Sequence, residues 1–269
     1  MGQKRPLSTV LTATLAVSLL LGGCALEKDT TVGWSVDKLY QEAKDELAAG
    51  AYDKAIGYYE KLEGRAAGTI IAQQAQVDKA WAQWKNNEPV LATATLDRFM
   101  RLHPASPALD YALYLKGVVN FNDQLGLFTN LLGQDLSERD PKQAKLAFEA
   151  FRELVSRFPE SRYAEDARVR MQFIRNNLAR SDVHVARYYF DQGAYVAAIS
   201  RAQEAIETYR DVPAVEEALF ILYRSYDRLG LTQLRDDTRR VLERSYPQSS
   251  LLYPERDPRQ NARPWWKLW

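Results

Sequence analysis

No grouping of residues suited to catalysis or metal binding is visible in this sequence, because Asp and Glu are spread along the predicted helical faces in the usual solvated pattern. The only histidines are His103 and His184, which lie far apart and lack the spacing of metal ligands. His103 precedes Pro104 at the predicted end of a helix, where turn chemistry or pairing with the helix dipole explains it. The chain has no phosphate loop and no G-x-S-x-G motif. The sequence therefore predicts a non-enzymatic protein that uses no cofactor and no metal.

The single cysteine, Cys24, lies in a sequence that suggests covalent modification. Two basic residues and a mostly apolar stretch, Leu7 to Leu21, have the order and length of a signal peptide and are short for a membrane span. Leu21-Gly22-Gly23-Cys24 resembles the lipobox of bacterial lipoproteins, in which the cysteine is acylated. We therefore expect lipid on Cys24. A plain secretory signal with an incidental cysteine is the alternative.

Charge and cysteine content limit the partners and the compartment. The formal net charge is +1, and removal of residues 1–23 would leave 34 basic against 35 acidic residues, which does not suggest nucleic-acid binding. Ala25 follows Cys24 where inner-membrane lipoproteins often carry Asp, and by resemblance this favours a lipid-anchored position on the periplasmic face of the outer membrane. One acylated cysteine permits no disulfide, so packing alone must stabilise the fold.

Four turn sequences divide the chain into units of similar length. Gly50-Ala51-Tyr52 and Gly193-Ala194-Tyr195 are nearly identical, and Asn86-Asn87 and Gly230 follow them by 36 and 37 residues. Alanines recur at matching positions before and after the two glycine turns, where small side chains let two helices approach closely, and glycine can end a helix in a left-handed turn. A period near 34 is typical of the tetratricopeptide repeat (TPR).

Apolar residues at helical spacing fill the sequence between these turns. The pattern predicts an all-α TPR solenoid of about five helix-turn-helix repeats, with ten helices at roughly 35–48, 52–63, 69–85, 88–102, 107–121, 141–158, 162–192, 195–209, 213–229 and 232–245. The segment 162–192 contains no Gly or Pro, so one long helix could join the two halves.

The unit from Arg139 to Ala167 shows the helical pattern most fully. Asp140 can cap a helix that Pro141 begins, and Ser161 can cap the next helix after the stop at Pro159. Between them, one face carries an apolar stripe of Ala144, Ala147, Phe148, Phe151, Leu154, Val155 and Phe158. Neither helix can bury its stripe alone, so the unit requires neighbours of the same kind.

Six segments follow from these patterns: a removed signal peptide (1–23), a lipidated flexible tether (24–34), N-terminal TPRs (35–121), an apolar insertion loop (122–139), C-terminal TPRs (140–246) and a Pro/Trp-rich tail (247–269). The tail ends in Trp265-Trp266-Lys267-Leu268-Trp269. Packing on its own last helix, docking at lipid headgroups and occupation of the protein's own groove are alternative roles for it.

Aromatic residues are concentrated in the first three repeats. Most are expected in the repeat core, and the others could line a groove, since Tyr and Trp combine apolar area with a hydrogen-bonding group for an extended peptide. The candidates for this groove are Tyr40, Tyr59, Trp81 and Trp84.

Several motifs together resemble one known family. They are Arg98 to Pro104, Asp110 to Gly117, Arg139-Asp140-Pro141, Phe158 to Tyr163 and Val185 to Ala198, together with the lipobox. They closely resemble the BamD family, the TPR lipoprotein subunit of the β-barrel assembly machinery, over roughly residues 20–245. One departure is Glu63 to Thr69, which has no Pro where the family usually has an Arg-aromatic-Pro turn.

The resemblance implies partners and sites. It implies a complex with the last POTRA domain of BamA and with other Bam lipoproteins, and recognition of unfolded outer-membrane β-barrel proteins, with substrate at the N-terminal repeats and BamA at the C-terminal repeats. The residues expected at the BamA contact are Arg187, Tyr188, Tyr189 and Arg201. Alternative functions are a TPR lipoprotein that recruits a periplasmic protease or cell-wall enzyme, and an enzyme with unrecognised catalytic residues.

Overall fold

The computed structural model describes residues 29–121 and 142–253, which form ten α-helices. The helices are α1 Val36–Ala48, α2 Tyr52–Arg65, α3 Ile70–Lys85, α4 Pro89–Leu102, α5 Leu109–Asn120, α6 Lys142–Arg157, α7 Ala164–Asp191, α8 Tyr195–Thr208, α9 Ala214–Arg228 and α10 Thr232–Ser245. Each helix packs against the next along the chain, and α9 also packs on α7. The predicted all-α TPR solenoid of five helix pairs is confirmed. The sequence left open whether 162–192 forms one helix, and the structure has one helix there, α7.

The four predicted turns share one backbone geometry. Gly50, Asn87, Gly193 and Gly230 all have φ between 63° and 78°. At each turn the next N–H donates to the carbonyl five residues earlier, at 2.9 to 3.0 Å, as in a Schellman C-cap. Asn is the side chain other than Gly that best tolerates this conformation, which is why Asn87 can replace glycine there.

The alanines that flank these turns lie where the helices approach closely. Ala43 and Ala55 in the first pair, and Ala186 and Ala198 in the fourth, have no exposed surface. A larger side chain at any of them would force the two helices apart. The prediction that small residues hold the hairpins together is thus confirmed.

The apolar stripe of α6 is buried as the sequence predicted. Phe151 and Leu154 have no exposed surface, and the remaining stripe residues pack in the same core cluster. Phe151 also packs on Gly117 of α5, where a β-carbon would lie 2.3 Å from the Phe151 ring. Glycine at 117 therefore permits the close approach of α5 and α6.

The expected cap at Ser161 is not formed. Tyr163 is the N-cap residue of α7 and makes no side-chain capping bond. The Ser161 hydroxyl instead donates to Asp110 Oδ2 at 2.7 Å, and its oxygen accepts from the Tyr163 N–H at 3.3 Å. Ser161 thus ties the turn before α7 to α5, because a cross-repeat carboxylate is within its reach.

Residues 29–34 belong to the fold, although the sequence suggested a flexible tether through 34. Thr31 has no exposed surface, and Trp34 packs against the buried apolar residues of α1, α2 and α3, which we call the first core cluster. Other predictions, namely the acylated Cys24, the insertion loop, the Asp140 cap and the Trp-rich end of the tail, lie outside the described residues. Within the described ranges, we find no helix with the length and apolar character needed to cross a membrane.

Candidate functional site: an aromatic surface across the N-terminal repeats

Half-buried tyrosines from α1, α5 and the residue before α7 are connected through one carboxylate of α3 and through contacts between their rings. We define the tyrosine surface as Tyr40, Asp78, Tyr111, Tyr114 and Tyr163. These residues lie in α1, α3 and α5 or, for Tyr163, directly before α7. The first four repeats therefore each contribute a side chain to the tyrosine surface. A surface assembled in this way is extended along the solenoid, which is how repeat proteins bind.

Asp78 links the first two repeats of this surface. Its Oδ2 accepts a hydrogen bond from the Tyr40 hydroxyl at 3.0 Å, and its Oδ1 accepts one from Gln74 Nε2 at 2.8 Å. Burial raises the pKa of Asp78 above its usual value despite these bonds. Burial and the Asp78 charge raise the pKa of Tyr40 to about 12. The Tyr40 hydroxyl therefore remains a donor at neutral pH.

Tyr163 continues the surface from α5 to α7. Its ring stacks on Tyr114 with centroids 4.7 Å apart and lies 5.4 Å from the Tyr111 ring. The exposed Arg162 guanidinium sits 4.7 Å over the Tyr163 ring. Burial raises the pKa of Tyr111, and the nearby Tyr163 and the Asp78 charge act in the same direction. The stacked rings offer a polarisable face with a cation beside it.

A charged pair borders the far side of the stacked rings. The Tyr114 hydroxyl donates to Asp166 Oδ2 at 2.8 Å, and Arg170 Nε donates to the same oxygen at 2.5 Å. Arg170 also lies 4.9 Å over the Phe121 ring. The surface thus alternates aromatic faces with fixed charges of both signs.

Of the four predicted groove residues, Tyr40 lies in the tyrosine surface and Tyr59 does not. Tyr59 has no exposed surface and belongs to the first core cluster, 6.3 Å from the Tyr40 ring. The prediction that Tyr59 lines a groove is therefore wrong, because α1 and α3 cover its ring. Burial raises its pKa well above the usual tyrosine value.

Trp81 and Trp84 form a separate half-buried pair at the end of α3. Their rings meet edge to face at 5.1 Å, and Lys85 Nζ lies 4.9 Å and 4.5 Å over the two rings. Trp81 follows Asp78 by one helical turn, so both lie on the same face of α3. Both rings also pack on the buried apolar residues of α3, α4 and α5, which leaves only part of each ring available to a ligand.

The four residues expected at the C-terminal contact have different environments. Arg187 Nε donates to Glu217 of α9 at 2.6 Å. Tyr189 packs against the buried apolar residues of α7 to α10. Tyr188 is 58% exposed. Arg201 is exposed, with Glu204 at 3.0 Å on the same helix. Arg187, Tyr188 and Arg201 are thus exposed, and Tyr189 alone of the four is half-buried.

Sequence reasoning did not assign Asp78, Asp166 or Arg162 to the site. Asp78 looked like one of many helical acids, and only its approach to Tyr40 across the repeat distinguishes it. Tyr163 is the last residue of the turn motif Phe158 to Tyr163. Because the helix before it is predicted to stop at Pro159, the sequence could have indicated a partly exposed ring at the start of the next helix. Among the described residues, no cluster of His, Cys, Asp and Glu could hold a metal ion.

Comparison with known proteins places this architecture in one family. The YfiO model, described as outer membrane lipoprotein, matches residues 34–242, from just before α1 into α10. A protein of Neisseria meningitidis serogroup A is 45% identical over 262 residues, covering 95% of this chain and 97% of its own. The chain belongs to the BamD (YfiO) family of outer-membrane lipoproteins.

More distant relatives also match most of the chain. A Vibrio cholerae protein is 36% identical over 87% of this chain and 96% of its own length, and one from Haemophilus influenzae is 31% identical over 86% and 88%. All three relatives carry the name outer membrane protein assembly factor BamD. The tyrosine surface and the C-terminal candidate residues both fall within the matched range.

Proposed function

We propose that this protein is a non-enzymatic adaptor of the outer-membrane β-barrel assembly machinery. It is lipid-anchored through Cys24 on the periplasmic face, requires no cofactor beyond that covalent lipid, and works with BamA and further Bam lipoproteins. Membership of the family supports this role over recruitment of a protease or cell-wall enzyme. The repeat architecture supports it too, because solenoids bind partners along extended faces.

The observation that carries the substrate half of the proposal is the tyrosine surface. An unfolded barrel protein presents extended segments rich in aromatic side chains, and the Tyr111, Tyr114 and Tyr163 rings offer faces for them to stack on. The exposed Arg162 supplies a cation beside these faces, suited to the carboxylate that ends a terminal strand. We therefore assign unfolded outer-membrane proteins to this surface.

The exposed residues at the junction of α7 and α8 support a separate contact with BamA. Tyr188 and Val196 are 58% and 71% exposed, which gives aromatic and apolar area for a protein interface. Arg201, one helical turn or more beyond Val196 on α8, is a multidentate donor for carboxylates on a partner. Arg187 pairs with Glu217 of α9, and Arg201 pairs with Glu204 of its own helix, so each arginine would exchange or share that partner on binding.

A pair of variants separates the two surfaces. Tyr163→Ala should weaken binding of a peptide carrying a barrel protein's last strand by about fivefold, since the loss of one aromatic stack costs about 1 kcal/mol. It should leave BamA co-purification unchanged. The matched control Tyr188→Ala should do the opposite. Equal effects of both variants on both partners would show that the two sites are not distinct.

Acylation is tested independently of the repeats. Cys24→Ser should leave the protein soluble in the periplasm or uncleaved, because the lipobox cysteine is both the acylation site and the cleavage point. Helical circular dichroism of the variant should match the unchanged chain. Normal processing and continued fractionation with outer membrane would contradict the lipid anchor.

A further inference from the structure

The segment that leads from the anchor into the fold is fastened to α2. Arg65 Nη1 donates to the Thr31 carbonyl at 2.9 Å, and Nη2 donates to the Thr31 hydroxyl oxygen at 2.9 Å. Asp29 receives Lys61 Nζ at 2.6 Å and Arg65 Nη2 at 3.4 Å. We call these four residues the tether clamp. Thr31 is fully buried within it.

The contacts of the clamp differ from those of an incidental surface ion pair. Its arginine reaches two backbone carbonyls, of Thr31 and Trp34, in addition to the hydroxyl and carboxylate. The hydrogen bond from Lys61, together with those from Thr31, holds the pKa of Asp29 well below its usual range. Several bonds to one planar guanidinium fix the direction of the chain better than one flexible pair does.

The clamp sets how far the fold can stand from lipid on Cys24. Asp29 lies five positions after Cys24, so a chain extended at about 3.5 Å per residue spans at most about 18 Å between them. Without the clamp, the first fixed residue would be Trp34, whose ring packs against the core of the first repeat. Trp34 lies ten positions after Cys24, so the maximum reach would then rise to about 35 Å. The clamp therefore halves the distance available to the first repeat.

The surface around the clamp has the composition of a lipid-contacting face. Val32 is 78% exposed beside the buried Thr31, and Ile70, the first residue of α3, is 79% exposed. Lys38 Nζ lies 4.3 Å over the Trp34 ring. Tryptophan and lysine together suit the headgroup level, where a ring and a cation are both stabilised. Exposed apolar residues there gain from leaving water.

We propose that this end of the solenoid is a lipid-contacting surface, held against the headgroups of the periplasmic leaflet by the tether clamp. Val32 and Ile70 meet the boundary of the acyl chains, and Lys38 meets the phosphates. The proposal rests on the lipid anchor at Cys24, since the short reach follows only if that residue is fixed in the membrane.

Energy transfer to the membrane tests the surface in the acylated full chain. The protein is reconstituted in vesicles of phosphatidylethanolamine and phosphatidylglycerol that carry a lipid acceptor dye. A donor dye is attached to a new cysteine at the exposed Ala67, after the clamp arginine, or at the exposed Gln233 of α10. Because the only native cysteine is Cys24, labelling is selective. Transfer should be strong from position 67 and weak from position 233.

Clamp variants supply the decisive comparison. Arg65→Gln should lower transfer from position 67, because the allowed reach doubles and transfer falls steeply with distance. Val32→Ser combined with Ile70→Ser should lower it as well. The matched control Arg98→Gln removes an exposed arginine of α4 that pairs with Glu63, and it should change nothing.

Flotation separates this proposal from the anchor itself. If Arg65→Gln floats with vesicles and its transfer equals that of the unchanged chain, the clamp proposal is wrong and the anchor stands. Equal transfer from positions 67 and 233 would likewise overturn the lipid-contacting surface. If the unchanged chain fails to float, both the anchor and the surface are refuted.

Discussion

Adding one methyl group at Gly117 tests whether the α5–α6 contact positions the tyrosine surface. A β-carbon there would lie 2.3 Å from Phe151 Cε1 and 2.6 Å from two further ring atoms. Ordinary contact between carbons is near 3.5 to 4 Å, so the ring or the helix must move by more than about 1 Å. Phe151 has no exposed surface, so any shift of its ring must also displace core neighbours or the helix.

The expected cost follows from two opposing terms. Overpacking of a core costs about 1 to 3 kcal/mol, whereas replacing glycine by alanine inside a helix returns up to about 1 kcal/mol. Gly117→Ala should thus lower the free energy of unfolding by about 1 to 2 kcal/mol, and the melting temperature by about 2 to 8 °C for a domain of this size. Peptide affinity should fall too, since α5 carries Tyr111 and Tyr114.

The matched control is Gly57→Ala in α2. A β-carbon at Gly57 would meet no heavy atom within 4 Å. The same substitution should therefore stabilise the fold by about 0.5 to 1 kcal/mol through helix propensity alone. Thermal and urea unfolding of both variants measure the pair. If Gly117→Ala were as stable as Gly57→Ala, the close approach of Phe151 would not constrain the fold.

Three further predictions concern stability. Folding raises the pKa of Asp78, so its contribution to stability falls as pH increases from below its unfolded-state pKa through its folded-state pKa. Unfolding curves of Asp78→Asn between pH 3 and 7 should lack that fall in stability. A pH profile equal to that of the unchanged chain would refute the prediction. Asn87→Ala should cost about 1 kcal/mol and Asn87→Gly almost nothing, because φ is positive there; equal stabilities would contradict this. Glu63→Ala should cost about 3 kcal/mol, since it leaves Lys79, paired at 2.6 Å and 7% exposed, without its close partner; a loss below about 1 kcal/mol would count against that pair.

The helices could be predicted from the sequence because each repeat contains its own signals. Glycine or asparagine at the turn, alanine at the close approach and apolar residues at helical spacing all act locally, and they located each of the ten helices to within a few residues. The stripe of α6 and the long α7 needed no knowledge of neighbouring repeats. Ser161 is the exception, since a carboxylate of α5 outcompetes the local cap.

The site was less predictable because burial depends on which helix covers a residue. Tyr40 and Tyr59 are both aromatic residues of the first hairpin, yet packing leaves only Tyr40 partly exposed. The Asp78 contact and the Arg65 contact with Thr31 join residues more than 30 positions apart. No periodicity within one helix encodes such a pair.

Site-specific photocrosslinking of the assembled lipoprotein in the cell tests the central claim most directly. A photoreactive residue is placed at Tyr40 or Arg162 in the tyrosine surface, and at the exposed Arg239 of α10 as control. The account predicts that an unfolded outer-membrane protein is trapped at the first two positions and that little is trapped at Arg239. Substrate trapped only within residues 180–245 would contradict it and reverse the assignment of the two halves.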